Sequence, residues 1–246
     1  MSGIIIHSIP GSPFGRAALL TLEEKGASYR FGMVAPGTLR EQQHLARHPF
    51  GRVPVLQHDD FQLYEAQAIL RYVDRALPGP ALTPAQPRAA ARMDQLMNIN
   101  DWYLFQGVAN VIAFQRVVGP RLLGLIPDEA AIAAAMPKGC AVFEELSHLL
   151  ADQPYFTGDS ISLADLLLAP QLDFLCDTPE WTVLADGREN LPTWLDRMKQ
   201  RSSMQATTWE RVAAMAQGSR NSHVSARRER DSNGLAASIP APQAGR

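Results

Sequence analysis

The chain has 246 residues, of which 46% are hydrophobic and 20% are charged, and its formal net charge is −2. That length can bury a sizeable core, as one large domain or two small ones. A charge this near zero gives no electrostatic reason to expect nucleic acid or an anionic membrane as a partner. No long, uninterrupted apolar run indicates a secretory signal or a membrane span, so we expect a cytoplasmic protein. Cys140 and Cys176 are far apart and form no metal motif, so we expect reduced thiols and no bound metal.

The first 77 residues predict a small α/β domain with one mixed sheet. Ser12 followed by Pro13 is typical of a helix start, because serine caps the helix and proline costs nothing at its first position. The predicted order is strand, helix, strand, helix, strand, strand, helix. The predicted strands are Ile4 to Ile9, Ser28 to Val34, Val53 to Leu56 and Phe61 to Leu63, and the predicted helices are Pro13 to Lys25, Leu39 to Arg47 and one starting at Glu65.

The stretch from His48 to Leu70 has the clearest local pattern of the chain. Pro54 lies inside an apolar run and cannot donate to a sheet ladder, which indicates a strand end or an unusual peptide geometry. The helix that starts at Glu65 offers free backbone N–H groups and the positive end of its dipole. Together these features predict that backbone groups bind a small anionic ligand.

A proline-rich connector over residues 78–87 is the predicted boundary between two domains. Residues 88–216 predict an all-helical domain, and residues 217–246 have too few large apolar side chains to fold, which predicts a disordered tail. Ser162 with Asp165 predicts a capping box, a purely structural feature. The first predicted helix of this domain runs from about Arg88 to Val118 and would end at Gly119-Pro120. The second runs from Asp128 to Ala151, and Pro137 would kink or split it. A third helix starts at Ser162 and would be kinked by Pro170, a fourth starts near Leu191, and a last one runs from Met204 to Ala216.

Several segments, in order, resemble the soluble glutathione transferase family over nearly all of residues 1–216. Ser12-Pro13-Phe14-Gly15 resembles the serine-type classes, closest to the plant tau pattern, and indicates a tau/phi-like, bacterial-style member. His48 to Leu56 resembles Asn-Pro-x-Gly-x-Val-Pro-x-Leu, with His48 replacing the usual Asn, and Glu65 to Ile69 resembles Glu-Ser-x-Ala-Ile. The remaining matches are Ser160 to Asp165, Asn190 to Trp194 and Arg201 to Met204.

This resemblance implies a thioredoxin-like N-terminal domain, an all-helical C-terminal domain, a homodimer, and glutathione as co-substrate. It gives Ser12 a catalytic role. The thiol of glutathione is mostly protonated at neutral pH, and a hydroxyl donating to its sulfur at the positive end of a helix favours the thiolate. Alternatively, Ser12 is only an N-cap. The two roles are compatible, because the cap accepts a hydrogen bond and thiolate activation donates one.

The resemblance also implies ligands for the rest of glutathione. Val53, before a cis Pro54, would pair with the cysteinyl unit, and Glu65 would accept from the γ-glutamyl ammonium. Ala66 replaces the family's serine, so only its backbone N–H remains for the γ-glutamyl carboxylate, at a cost of about 1–2 kcal/mol. Without the resemblance, Pro54 is an edge-strand proline and Glu65 a glutamate that complements the helix dipole.

Arg40 and Arg52 are candidates for the glycyl carboxylate, since a guanidinium can bind it through two hydrogen bonds, and each is equally well explained as a surface arginine. The long helix would face the cleft with Trp102, Tyr103, Phe105, Gln106, Asn110 and Phe114, some of which could line an electrophile pocket. The candidate pocket residues are Phe14, Tyr103, Gln106 and Asn110. Aromatic side chains at helical spacing are also typical of an ordinary core.

The leading hypothesis is a glutathione transferase that acts on a hydrophobic electrophile. A lyase, isomerase or dehalogenase on the same glutathione site is an alternative, because one fold hosts several chemistries. A thiol oxidoreductase needs a cysteine where this chain has Ser12. A non-catalytic binding or scaffold protein is the third hypothesis, favoured by Ala66 and by His48.

Overall fold

The computed structural model describes residues 3–217, which form a thioredoxin-like part followed by a helical part. The predicted tail lies outside the described residues, apart from residue 217. The strands are β1 Ile4–Ser8, β2 Arg30–Met33, β3 Val55–His58 and β4 Phe61–Tyr64. The first three helices are α1 Pro13–Glu24, α2 Gln42–Leu45 and α3 Ala66–Ala76. The predicted order of elements is confirmed.

The sheet has the strand order β2-β1-β3-β4, with β1 parallel to β2 and antiparallel to β3, and β3 antiparallel to β4. His7 near the end of β1 pairs with Val55 at the start of β3, and Val55 pairs with Tyr64 at the end of β4. This register brings the segments after β1, before β3 and after β4 to one edge of the sheet.

Helix α1 connects the two parts of the molecule. Ser12 is its N-cap, as predicted, and its inner face, which includes Leu19 and Leu22, is fully buried. It packs against α3 on the sheet and against α8 (Leu163–Leu175) of the helical part. The first turn of α1 therefore lies where the two parts meet.

Helix α8 is buried from Leu163 to Leu172 and again at Leu175, and it forms the centre of the helical part. The predicted capping box is confirmed, since Ser162 N donates to Asp165 Oδ2 at 2.9 Å. Asp165 is fully buried and its Oδ1 also accepts from Trp194 Nε1 at 2.9 Å. Burial raises the pKa of Asp165, although these hydrogen bonds oppose the shift. The carboxyl is thus a structural anchor.

The prediction of one continuous helix from Arg88 to Val118 is wrong at one point. The chain leaves helical geometry at Gln106, where ψ is 112°, and at Gly107, where φ is 84°. The prediction that Gly119-Pro120 ends the helix is also wrong. These two residues begin the next helical segment, because a proline is tolerated in the first turn of a helix. In order, the segments are α4 Pro87–Ile99, a π-helical stretch Asn100–Ala109, α5 Asn110–Ala113, a second π-helical stretch Phe114–Val118, and α6 Gly119–Leu123.

The remaining helices are α7 Glu129–Leu150, α8, α9 Trp181–Leu184, α10 Asn190–Lys199, α11 Ser202–Ala206, and a helical segment at 209–217. Of these, α7, α8 and α10 start within a few residues of the predicted positions, whereas α9 was not predicted and the predicted helix from Met204 to Ala216 is interrupted at residues 207–208. Helix α7 continues through Pro137, which does not split it, and α8 runs through Pro170. No helix within residues 3–217 is both long and apolar enough to cross a membrane.

The connector is tied to the thioredoxin-like part by a buried ion pair. Lys25 Nζ lies 3.3 Å from Asp74 Oδ1 and donates to the carbonyl of Pro80 at 2.9 Å. Asp74 in turn accepts from Leu82 N and from the Thr83 hydroxyl. Removing one partner of such a buried pair costs about 3–5 kcal/mol. The domain boundaries at 77, 78–87 and 88 stay predictions.

Candidate active site

A cleft of about 550 Å³ lies between the sheet edge and the helical part. It is lined by most of the candidate residues from the sequence, which the strand register brings together although they are far apart in the chain. Those residues are Ser12, Phe14, Arg52, Val53, Pro54, Glu65, Ala66 and Gln106. His48, Asp101, Trp102 and Phe105 also line it.

Ser12 lies in this cleft at the N-terminus of α1. Its Oγ accepts a hydrogen bond from Gly15 N at 3.1 Å, which is an N-cap contact. The hydroxyl proton is not used in that bond, so the same oxygen is able to donate to a ligand in the cleft. Pro13 at the first helical position fixes the backbone direction there.

The turn before β3 holds Val53 at the cleft. The Val53–Pro54 peptide bond is cis, and β3 begins directly after it at Val55. Gly51 has a φ of 62°, and a Cβ there would lie 2.7 Å from the carbonyl oxygen of Leu39. Only glycine fits that position without moving the backbone. Val53 precedes the strand and lines the cleft, and its backbone groups are outside the β3 ladder, which begins at Val55.

His48, which replaces the family's Asn, is only 2% exposed. Its ring lies 4.8 Å from the ring of Tyr64, and its Nδ1 is buried without a hydrogen-bond partner among the described residues. Burial lowers the pKa of His48, so its imidazole is neutral at pH 7. It supports the turn by packing. The neighbouring His44 contributes by contacting the carbonyl of Arg52 through Nε2 at 2.9 Å.

Glu65 stands at the N-cap position of α3 in an unusual conformation, with φ 72° and ψ 117°. A non-glycine residue with this backbone costs about 1–3 kcal/mol, and such strain is concentrated at functional sites. Glu65 and Ala66 line the cleft at the start of α3, where the first N–H groups of the helix have no partner within the helix. This end of the helix suits a carboxylate.

The two arginines occupy different positions. Arg52 lines the cleft, and with Arg40, Phe50 and Glu65 it also lines an adjoining hollow of about 390 Å³. Arg40 lies outside the cleft proper, and both side chains are exposed.

The helical side of the cleft is aromatic. The rings of Phe14 and Phe105 meet edge to face with centroids 4.7 Å apart, and Trp102 is 62% exposed at the cleft's margin. Tyr103 was expected here, but it lines a separate hollow with Lys138 and Glu145, because it faces away on its helix. Asn110 was also expected here, but its Oδ1 accepts from Gly107 N at 2.6 Å instead.

Comparison with known families decides the assignment. The model of the N-terminal domain of glutathione S-transferases matches residues 2–75, and that of the C-terminal domain matches residues 112–202. The chain belongs to the glutathione S-transferase family.

Known members of the family are similar over most of their length. A glutathione S-transferase of Hyoscyamus muticus is 31% identical over 196 residues, which cover 78% of this chain and 91% of the relative. The crystal structure of glutathione transferase F7 from Populus trichocarpa has a TM-score of 0.75 and 26% identity, and covers 87% of this chain and 99% of that one. A theta class enzyme of Xanthomonas axonopodis pv. citri, with glutathione bound, has a TM-score of 0.73 and 28% identity, and covers 85% of this chain and 98% of that one.

These matches confirm the predicted family, the predicted fold class and the predicted enzyme class. The serine-type assignment, the bacterial style and the roles of individual residues stay predictions.

Asp101 is a cleft residue of this glutathione S-transferase that the sequence reasoning missed. Its Oδ2 accepts from Gln67 Nε2 at 2.7 Å, and its Oδ1 accepts from Asn100 Nδ2 at 2.9 Å. Burial raises the pKa of Asp101, and the nearby charge of Glu65 acts in the same direction. No sequence signal connects it with Glu65, because the two lie in different parts of the chain.

Ser12 also borders a second cavity of the transferase, of about 230 Å³. Its wall includes Val117, Arg121 and Trp209. The Trp209 ring packs so closely on Gly11 that a Cβ at Gly11 would lie 2.5 Å from it. The sequence reasoning assigned Trp209 no role, because only the fold brings the 209–217 helix to the loop before Ser12.

Proposed function

We propose that this glutathione S-transferase binds glutathione in the cleft and activates its thiol through Ser12 for attack on a hydrophobic electrophile. The position of the Ser12 hydroxyl carries the proposal: it lies at the N-terminus of α1, in one cleft with Val53 and Glu65. Glutathione is the co-substrate, and the reaction we infer needs no metal.

The chemistry follows from the hydroxyl and the helix. A hydrogen bond donated to sulfur stabilises the thiolate over the thiol, and the helix N-terminus adds favourable charge. Each pKa unit by which the thiol pKa falls corresponds to about 1.4 kcal/mol of preferential stabilisation. The proton lost by the thiol leaves to solvent, since Ser12 donates and does not accept it.

The sheet edge provides the groups that a tripeptide needs. The Val53 backbone pairs with the cysteinyl unit, as a strand pairs with its neighbour. The γ-glutamyl carboxylate binds the N–H groups at the start of α3, and its ammonium lies between the carboxylates of Glu65 and Asp101. Arg52 is the better placed arginine for the glycyl carboxylate, with Arg40 behind it in the adjoining hollow.

The electrophile then packs against Phe14, Phe105 and Trp102, next to the sulfur. Planar or aliphatic apolar groups fit this wall, because aromatic rings provide large apolar contact area with defined geometry. Gln106 is the polar residue at the margin of the same wall.

The test compares Ser12→Ala with the unaltered protein by following the thiolate absorbance of bound glutathione against pH. We expect the thiol pKa to rise by about one unit or more, and conjugation of a model aryl halide to fall about 10²-fold, as when one donor to a reacting anion is removed. Ser160→Ala, at an exposed serine, is the matched control. Unchanged thiol pKa and turnover would remove Ser12 from the mechanism.

A scaffold function is the second candidate, favoured by Ala66 and His48 where the family has serine and asparagine. It predicts no thermal shift at millimolar glutathione. A thiol oxidoreductase is disfavoured, because neither Cys140 nor Cys176 is among the residues that line the cleft. A lyase, isomerase or dehalogenase would share the Ser12 result and differ only in the electrophile turned over.

We further propose a cytoplasmic homodimer. Both cysteines are free, as in a reducing compartment. Phe50 is 61% exposed and Tyr103 is 57% exposed, and we take these two aromatic side chains, of a type enriched at protein–protein interfaces, as candidate contacts between protomers. Sedimentation as a monomer at micromolar concentration would contradict the dimer.

A further inference from the structure

The break between Gln106 and Gly107 directly follows the segment that lines the helical side of the cleft. Residues 101–106 contribute four cleft residues, and the backbone leaves the helix at their end. A left-handed φ of 84° at Gly107 is open to glycine and strained for other residues. The break therefore decides where this segment stops and how it faces the cleft.

Two side chains satisfy the backbone groups that the break frees. Asn110 Oδ1 accepts from Gly107 N at 2.6 Å, and Lys138 Nζ on α7 donates to the carbonyl oxygen of Gln106. A Cβ at Gly107 would lie 3.2 Å from Lys138 Nζ, which shows how closely the lysine passes the break. A helix end frays when such groups lack partners, and a cation at the last carbonyls stabilises it. The break is thus held on both sides.

Among the residues that the structure describes, Gly107, Asn110 and Lys138 do not line the cleft. They can therefore act on a ligand only through residues 101–106, the segment that ends at the break. At the far end of that segment, Gln67 donates to Asp101. At the near end, the Phe105 ring meets Phe14, which follows Ser12 by two residues.

We propose that Gly107, Asn110 and Lys138 are positioning residues. Because they stabilise the helix break, they determine the position of the cleft wall that contains Phe105, and so the fit of the electrophile. The inference rests on the proposed function, because it assumes that the electrophile packs on that wall. It requires that the glutathione half of the cleft, on the sheet edge, is unaffected by changes at the break.

The experiment measures, by calorimetry, the dissociation constants of glutathione and of S-hexylglutathione. The hexyl chain on sulfur probes the space beside Phe14 and Phe105. The ratio of the two dissociation constants therefore measures the contribution of that aromatic wall separately from the binding of glutathione itself. We expect Gly107→Ala to weaken S-hexylglutathione about tenfold through backbone strain at positive φ, and Lys138→Met about two- to fivefold through one lost hydrogen bond. Glutathione itself should bind within about twofold of the unaltered protein.

Two matched variants separate positioning from general damage. Gly187→Ala introduces the same kind of strain at a φ of 68°, in an open turn with no atom near the new Cβ, and should change neither constant. Lys138→Arg keeps a donor and should restore the S-hexylglutathione affinity that Lys138→Met loses. Sedimentation of each variant records whether the oligomeric state has changed.

If Gly107→Ala and Lys138→Met fold and have the same ratio of S-hexylglutathione to glutathione dissociation constants as the unaltered protein, the inference is wrong and the proposed function stands. Equal losses for both ligands would also overturn it, because the break would then act on the whole cleft. Binding of neither ligand by the unaltered protein would instead overturn the proposed function, and the inference with it.

Discussion

The two walls of the cleft are built in different ways. The sheet wall, made of Ser12, Val53, Pro54, Glu65 and Ala66, combines backbone groups at two helix starts and a turn with the side chains of Ser12 and Glu65, and strand register brings these segments together. The helix wall, made of Trp102, Phe105 and Gln106, consists of side chains from an interrupted helix, and Asp101 at the start of that segment lies near Glu65 at the charged end of the sheet wall.

This difference indicates a division of labour. Backbone groups cannot be changed by substitution, and their position depends on the buried sheet, so the sheet wall suits a ligand that is always the same. Side chains on a helix are replaceable one at a time, so the helix wall suits a partner that varies. Glutathione and the electrophile fit these two descriptions.

The largest effect is expected from a substitution in the sheet wall, at the end where we propose the ammonium site. Glu65→Gln removes a carboxylate from the proposed ammonium site, where a charge-assisted hydrogen bond contributes about 1.5–3 kcal/mol. We expect the KM for glutathione to rise about 10- to 100-fold while the KM for the electrophile stays the same. Glu41→Gln, at an exposed glutamate before α2, is the control. Equal changes in both KM values would mean that the walls are not independent.

The next effect breaks the helix wall. Phe105→Ala removes the ring that meets Phe14, so S-hexylglutathione should lose about tenfold in affinity relative to glutathione. Titration of both ligands gives the ratio. Phe61→Ala, at an exposed phenylalanine on β4, should leave it unchanged. A loss confined to glutathione would reverse the assignment of the two walls.

A gain of function sharpens the comparison on the sheet side. Ala66→Ser adds a hydroxyl at the proposed site of the γ-glutamyl carboxylate, and should tighten glutathione binding about fivefold. Ala68→Ser, two residues after Ala66 and outside the cleft lining, is the matched control and should have no effect. Unchanged affinity in Ala66→Ser would place the γ-glutamyl carboxylate elsewhere.

The smallest effect concerns pH. Burial raises the pKa of Asp101, so this carboxylate takes up its proton at a higher pH than an ordinary aspartate. In the proposed site the charged form of Asp101 binds the ammonium, so affinity for glutathione should fall about two- to threefold as the pH is lowered from 7 towards 5. Asp101→Asn should abolish that dependence. Measurement of the glutathione KM at several pH values in both proteins checks it.

The sequence reasoning was most successful where a local rule applies. Ser12-Pro13 predicts a helix start, and Pro54 predicts a strand end, because a cap and a missing N–H act within a few residues. The family motifs lie on the same segments. It failed at the break after Gln106, since the residues that stabilise the break include Lys138, which is on another helix.

The sequence also did not predict contacts between residues that only the fold brings together. Asp101 faces Glu65, and Trp209 packs on Gly11, across distances in the chain that no periodicity connects. Tyr103 and Asn110 were placed on the cleft because a continuous helix would carry them there, and the interrupted helix does not.

By itself, the sequence determined the strands, the caps, the special turn before β3 and the family, since each depends on neighbouring residues or on a motif. Only the tertiary structure decided which side chains share the cleft and which way the helix wall faces. The physical reason is that a cleft between two parts of a chain is set by the register of one part and the packing of the other, and neither is a local property.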